Sequence, residues 1–323
     1  MQRICKKDIG VNLDNKYISN ISIMGKSAPD SEQLKNRIEA GVKKFEIQLM
    51  SNDIDVNNIL ELVNDIDVIS VHTPIIYYDF THWGEMLLTD LFTEKYKRVF
   101  YETCRLANIL AENNNHDVIV VIHCDISIFE LKKYELEKIE NVLITAANMY
   151  PKILVGLENI SPLRNEPLRL NNGWFMGPAE IAEYLNKTIH EERFITILDI
   201  CHMQMAQYLL ESYKDSEIYK SFPGFALEDY LESYVKTLKL IHLNKAEADG
   251  YGKKHGLVAP TDLVKRVLKF FYDKKIEIPY ICIEVKEKDY NKCANYLLAY
   301  ENVSEAIKEM YDEQFAAEYN EIA

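Results

Sequence analysis

Residues 118–123 read VIVVIH, five apolar and β-branched residues closed by a histidine. Working outward, 152–158 reads KILVGLE and 194–199 reads FITILD, each an apolar run ending on a carboxylate. Nearly continuous apolar runs suit strands covered on both faces, as in a parallel sheet. Further runs at Tyr17–Met24, Lys44–Met50, Val68–His72, Leu238–Leu243 and Tyr280–Glu284 bring the expected strands to eight. Helical patterns lie between them, at Ser31–Ala40, Glu85–Asn113, Glu130–Met149, Pro178–Thr188, Leu227–Lys236 and Thr261–Asp273. Alternating strands and helices predict βα units on a parallel sheet. Eight units predict an α/β fold, a single (β/α)8 barrel over residues 1–323, with Tyr290–Tyr319 as a C-terminal helical extension. A doubly wound open sheet is the alternative. No GxGxxG follows the first strand, which disfavours a dinucleotide site.

The ends of these runs carry the chemistry. His72, His123, Glu158, Asp199 and Glu284 close five of them and His242 lies within a sixth, at spacings of 51, 35, 41, 43 and 42 residues. In a barrel the strand C-termini share one mouth, so these six side chains are expected to converge there. Imidazole nitrogen mixed with carboxylate oxygen suits zinc, manganese, iron or cobalt, whereas magnesium and calcium prefer oxygen alone. A lone strand-end His is ordinarily a hydrogen-bonded rim residue, and a lone Asp or Glu a helix cap; six in succession need another reason. His202, three residues after Asp199, and His255, thirteen after His242, join from loops. Trp83 and Trp174 fall in loops after strands and serve as pocket walls or packing. His82, His116 and His190 lie outside the pattern and read as structural.

Lys plus Arg is 37 and Asp plus Glu is 51, a net charge of −14. Such a field disfavours phosphate-backbone and anionic-membrane partners. Six cysteines without a CxxC pair read as reduced thiols. The opening MQRICKKDIG has no apolar segment of a signal peptide, and no run approaches a membrane span. The expected setting is the cytoplasm.

The ordered series VHTP, VIHCD, LEN, LDICH, IHLN and IEV resembles the xylose isomerase-like TIM-barrel superfamily over about residues 17–290. That group includes sugar isomerases and epimerases as well as endonuclease IV-type enzymes. Resemblance to the epimerases implies one divalent metal held by Glu158, Asp199, His242 and Glu284. Glu158 and Glu284 would also be the acid/base pair, with His202 contacting substrate. The arginine usual after the seventh strand is absent, and Lys245 is the nearest cation. Resemblance to endonuclease IV implies further ions: one on His72, His123 and Glu158, and another on His202, His255 and an aspartate two residues before His255. That position holds Lys253. The turn His72-Thr73-Pro74-Ile75 lacks the tyrosine of that group, and the loop MSNDIDVNN carries two aspartates.

The expected function is a divalent-metal-dependent isomerase or epimerase acting on a small sugar, polyol or sugar phosphate. One or two ions of manganese, zinc, cobalt or iron are expected, with Lys245, Lys253, His255 and Trp83 toward the substrate. The alternatives are a two-metal zinc phosphoesterase and a non-catalytic binding protein on the same fold. No nucleic acid or membrane partner is expected. The tail, rich in Tyr, Leu and Ala, could pack on the barrel or support an oligomer.

Overall fold

The computed structural model describes residues 21–77, 83–126, 137–160, 177–211, 215, 226–247 and 254–322. Outside them lie Cys5, His82, Trp174, Asp249, Lys253, the start of the first expected strand and residues 130–136 of the third expected helix.

Eight parallel strands close into a barrel: β1 (Ile23–Ser27), β2 (Lys44–Gln48), β3 (Asp67–His72), β4 (Val118–Cys124), β5 (Ile153–Asn159), β6 (Phe194–Asp199), β7 (Leu238–Leu243) and β8 (Tyr280–Ile283). Strands adjacent in sequence are adjacent in the barrel, and β8 pairs with β1. The helices are α1 (Ser31–Glu39), α2 (Val56–Val63), α3 (Glu94–Asn114), α4 (Glu137–Met149), α5 (Gly177–Ile189), α6 (Ile200–Glu211), α7 (Leu227–Tyr234), α8 (Thr261–Lys274) and α9 (Ala294–Ile322).

Alternation along each strand divides the core. On β4, Val118, Val120 and Ile122 face outward against Leu106 and Leu110 of α3 and Leu143 of α4. Ile119 and Val121 face inward with Met24, Ile195, Ile197, Leu240 and Cys282, and form the packed barrel interior. Gly156 belongs to that inner layer. A Cβ there would stand 2.6 Å from Ile197 Cδ1 and 2.9 Å from Ile119 Cγ2. Two residues on comes Glu158, so the glycine leaves room for a floor directly beneath a charged group.

Three expected boundaries are corrected. β1 begins at Ile23 and runs on to Ser27, past the expected stop at Met24, and so adds Lys26 to the barrel. The expected helix Glu85–Asn113 does not begin at Glu85. Trp83–Glu85 pairs antiparallel with Ile75–Tyr77 in a small ribbon, a 3-10 turn follows at Leu88–Phe92, and α3 starts at Glu94. Asp90 holds that turn by accepting from the Leu87 N–H at 2.8 Å. The tail helix begins at Ala294, where Glu287 accepts from the Asn295 and Tyr296 N–H groups at 3.0 and 2.9 Å. The tail packs on the barrel. Tyr296, Ala299, Val303, Ala306 and Met310 are buried, and Thr261 of α8 donates to Glu305.

The five described cysteines are buried thiols outside any disulfide. Among the described residues no helix is long and apolar enough to cross a membrane.

Candidate metal centre

Register places the ligand candidates at one level. His123 on β4 stands beside Glu158 on β5, and Asp199 on β6 beside His242 on β7. Neighbouring residues in a parallel sheet point to the same face, here inward at the mouth. Lys26, Glu46 and Ser70 likewise stand side by side on β1, β2 and β3, and Cys282 beside His242.

Glu158 is the centre, and four imidazoles approach it. His72 Nε2 is 3.3 Å from Oε2, while His123 Nε2, His202 Nδ1 and His242 Nδ1 are 3.5, 3.5 and 3.2 Å from Oε1. His242 Nδ1 also faces Glu284 Oε2 at 2.8 Å and Asp199 Oδ2 at 4.0 Å. Glu158, Asp199, His242 and Glu284 therefore form one group able to hold an ion. Three further groups exist among the described residues: His72, Glu85 and His123; His123, Glu158 and His202; and Glu46, His242 and Cys282.

The ring nitrogens test the fit of a cation. A neutral imidazole has one donor and one acceptor. Thr73 O can only accept, so the His72 Nδ1–H donates to it at 2.9 Å, and Nε2 turns a lone pair toward the Glu158 carboxylate. His242 has Glu46 Oε2 at 3.1 Å from Nε2 and three carboxylates around Nδ1, so whichever nitrogen carries the proton of the neutral ring, the other turns a lone pair toward a carboxylate. Acceptors facing acceptors need a cation between them, a proton or a metal. A carboxylate on the far ring nitrogen is also how metal-binding histidines are commonly oriented. The set fits a divalent ion with nitrogen and oxygen ligands.

The charge count agrees. Five carboxylates (Glu46, Glu85, Glu158, Asp199 and Glu284) against the ammonium of Lys26 leave a net charge of −4 when the imidazoles are neutral, which two divalent cations would balance. Burial pushes the Glu46 carboxyl up, but His242 and Lys26 outweigh it and bring it down to about 2. Burial likewise opposes ionisation of Glu158, yet His123 and His242 hold it well below the usual carboxylate range. Burial lowers His123, while Glu158 and Glu85 raise it to about 9.

Supporting residues fix the ligands. Asp199 serves as both helix cap and candidate ligand: Oδ1 accepts from the His202 N–H at 2.6 Å, and Oδ2 accepts from Asn244 Nδ2 at 2.8 Å. The Asn159 side chain accepts from the Asp199 N–H at 2.7 Å. Ser70 Oγ donates to Glu46 at 2.7 Å.

Of the residues expected toward substrate, His202 is in the cluster. His255 is not in any of the four groups; its Nε2 lies 2.6 Å from Lys286 Nζ. Lys245 faces Glu247 at 3.8 Å, and its backbone pairs with Leu257. The Trp83 backbone is in the ribbon, and Lys253 lies outside the described residues. His116 pairs with Asp67 at 2.7 Å, away from the mouth, and His190 ends α5 in the left-handed region. The expected set lacked Lys26, Glu46 and Glu85; FEI in the second strand offered a weak signal for Glu46, and the register of β1, β2 and β3 is what places it inward.

No family model matches the sequence, and no curated protein matches it. Solved structures do match. L-ribulose 3-epimerase is 12% identical, with 92% of this chain and 97% of that one covered and a TM-score of 0.55. Endonuclease IV from Thermus thermophilus is 12% identical, with 88% and 99% covered and a TM-score of 0.52. The likeness is one of fold, a closed (β/α)8 barrel. The IOLI protein, solved with a zinc atom, shares the barrel fold at 12% identity, with 88% and 96% covered and a TM-score of 0.50. Structures of this fold thus carry the names of both an epimerase and an endonuclease, and the fold does not choose between small-molecule and nucleic-acid partners.

Proposed function

We propose that this protein is a divalent-metal-dependent phosphoester hydrolase acting on a small phosphorylated compound at the barrel mouth. The observation that carries the reading is the position of Glu158, between His72 and His123 on one side and Asp199, His242 and Glu284 on the other. A one-ion isomerase needs the second set only; two sets sharing a carboxylate suit two ions. The surplus of four negative charges supports the same number. Divalent ions bound here would supply Lewis acidity and stabilise charge developing on a phosphoryl group.

The chain's own residues do the rest. His72, His123 and Glu158 would hold one ion, and Glu158, Asp199, His242 and Glu284 the other. Glu46 orients the His242 ring, and Lys26 keeps Glu284 turned into the site. The apolar layer from Met24 to Cys282 closes the floor to water. His202, with Nδ1 2.9 Å from Asn159 O, keeps Nε2 for a substrate oxygen. The exposed Asp53 on the loop after β2 and the net charge of −14 favour a small ester over a nucleic-acid backbone.

A second reading is proton transfer at a sugar carbon, as in an epimerase. It is favoured by the Lys26–Glu284 pair, since the Glu284 side chain is 26% exposed against 1% for Glu158 and can meet a substrate C–H. Elemental analysis combined with a panel of sugar phosphates tests both. About two ions per chain with release of inorganic phosphate is expected. One ion per chain, no phosphate release and solvent deuterium incorporated at carbon would replace hydrolysis with epimerisation.

A further inference from the structure

We propose that Glu85, carried by the ribbon outside the barrel strands, is a protein ligand of the ion held by His72 and His123. This rests on the two-ion reading above and adds a donor that no barrel strand supplies. The ribbon is locked at both ends of the glutamate. Ile75 pairs with Glu85 and Ile76 with Gly84, so Glu85 sits opposite a residue only three positions after His72. On its other side the chain docks on β4: the His123 N–H donates to Met86 O at 3.4 Å, and Leu87 bridges to His123. Backbone thus holds Glu85 to both histidines before any side-chain contact forms.

The side chains complete the set. Glu85 Oε2 lies 3.2 Å from His123 Nε2, closer than either Glu158 oxygen, and one donor atom each from His72, Glu85 and His123 lie within 4.8 Å of one another. His72 Nε2 is left as a lone pair by the bond from Nδ1 to Thr73 O. Glu85 is 34% exposed, so this set opens toward solvent while His72 and His123 are buried, which gives an ion its entry path. Two imidazoles and two carboxylates, Glu85 and the shared Glu158, suit zinc, manganese or cobalt. The ribbon thereby closes the first ion's coordination from outside the barrel.

Titration of chelator-treated protein with zinc chloride, with wild type and Glu85→Gln side by side, tests this. Circular dichroism and thermal unfolding verify that the variant is folded; the substitution is isosteric at a half-exposed site. The expected result is two binding events in wild type and, in Glu85→Gln, one event unchanged with the other weakened at least about 10–100-fold, the range for perturbing a ligand's support. Cobalt(II) loaded into the two proteins should differ in visible absorption, which a merely structural hydrogen bond would not alter. Two unchanged events and identical cobalt spectra would overturn the assignment of Glu85 and leave the two-ion reading standing. A single event in wild type would overturn the two-ion reading; Glu85 is then also excluded if the substitution leaves that event unchanged, and upheld if it weakens it.

Discussion

Lys26 Nζ donates to Glu284 Oε1 at 2.7 Å across the seam where β1 meets β8. The same ammonium lies 3.3 Å from Glu46 Oε1, so one cation joins a carboxylate at the mouth to one wholly inside the barrel. Removing one partner of a buried pair leaves the other charge uncompensated, typically at a cost of about 3–5 kcal/mol. Lys26→Met is therefore expected to destabilise the metal-free protein by about 3 kcal/mol, at the low end of that range because His242 and Ser70 still contact Glu46. Urea unfolding measures the loss, and Lys26→Arg should recover most of it. A Lys26→Met protein as stable as wild type would show that the pair contributes no stability.

Glu46 would act on a bound metal through His242. It is fully buried and holds Nε2 at 3.1 Å, which leaves Nδ1 to face Glu158, Glu284 and Asp199. Loss of such an orienting carboxylate typically costs about 10–100-fold in metal affinity. Glu46→Gln is expected to weaken one zinc-binding event by about that factor and to spare the other, as read by calorimetric titration. Equal weakening of both events would place Glu46 in a general electrostatic role instead.

The sequence disclosed the mouth better than the wall beneath it. His123, Glu158 and Asp199 were legible because each closes a run otherwise largely apolar, at the end where a barrel opens. Lys26 was hidden in IMGKS, where a glycine and a lysine look like a strand already finished. Glu46 was hidden because KFEIQ also reads as an ordinary half-exposed strand; only the register that sets Lys26 beside Glu46 and Glu46 beside Ser70 makes an inward charge tolerable. Glu85 was lost to the helical pattern that follows it. Its role depends on pairing with Ile75, a contact between segments that no local periodicity records.

Glu158→Gln and Glu284→Gln separate the two ion sets. A glutamine at either position is nearly isosteric, so both proteins should fold. Each is expected to lose at least about 10–100-fold in turnover on the true substrate, the range for a perturbed metal site, and about 10²–10⁴-fold if its carboxylate also moves a proton, as in the epimerase reading. The metal content should differ: Glu158→Gln weakens both ions because its carboxylate faces both sets, whereas Glu284→Gln weakens one. Near-full turnover in either variant would show that its carboxylate is dispensable.

Gly156 predicts a cost that is purely steric. An alanine methyl would meet Ile197 Cδ1 at 2.6 Å and Ile119 Cγ2 at 2.9 Å inside a closed barrel, where neither side chain can withdraw far. Overpacking of this kind costs about 1–3 kcal/mol. Chemical denaturation of Gly156→Ala should show that loss, and Gly156→Ala combined with Ile197→Val should regain part of it. Additive losses in the double variant would mean that the strain lies elsewhere.

The last prediction concerns the number of ions. A third ion would need His202, His255 and a carboxylate two residues before His255, where this chain has Lys253. An ammonium has no lone pair to give while protonated. His255 Nε2 is also engaged by Lys286 Nζ at 2.6 Å, and His202 turns Nδ1 toward Asn159 O and Glu158. The Lys286 ammonium beside His255 would repel a third metal. Wild-type protein dialysed against zinc is therefore expected to retain no more than two ions per chain by elemental analysis. Lys253→Asp restores the missing carboxylate and removes one positive charge, so a third, weaker ion is expected in that variant alone. Three ions in wild type would show that the lysine does not exclude the site and would overturn the two-ion count.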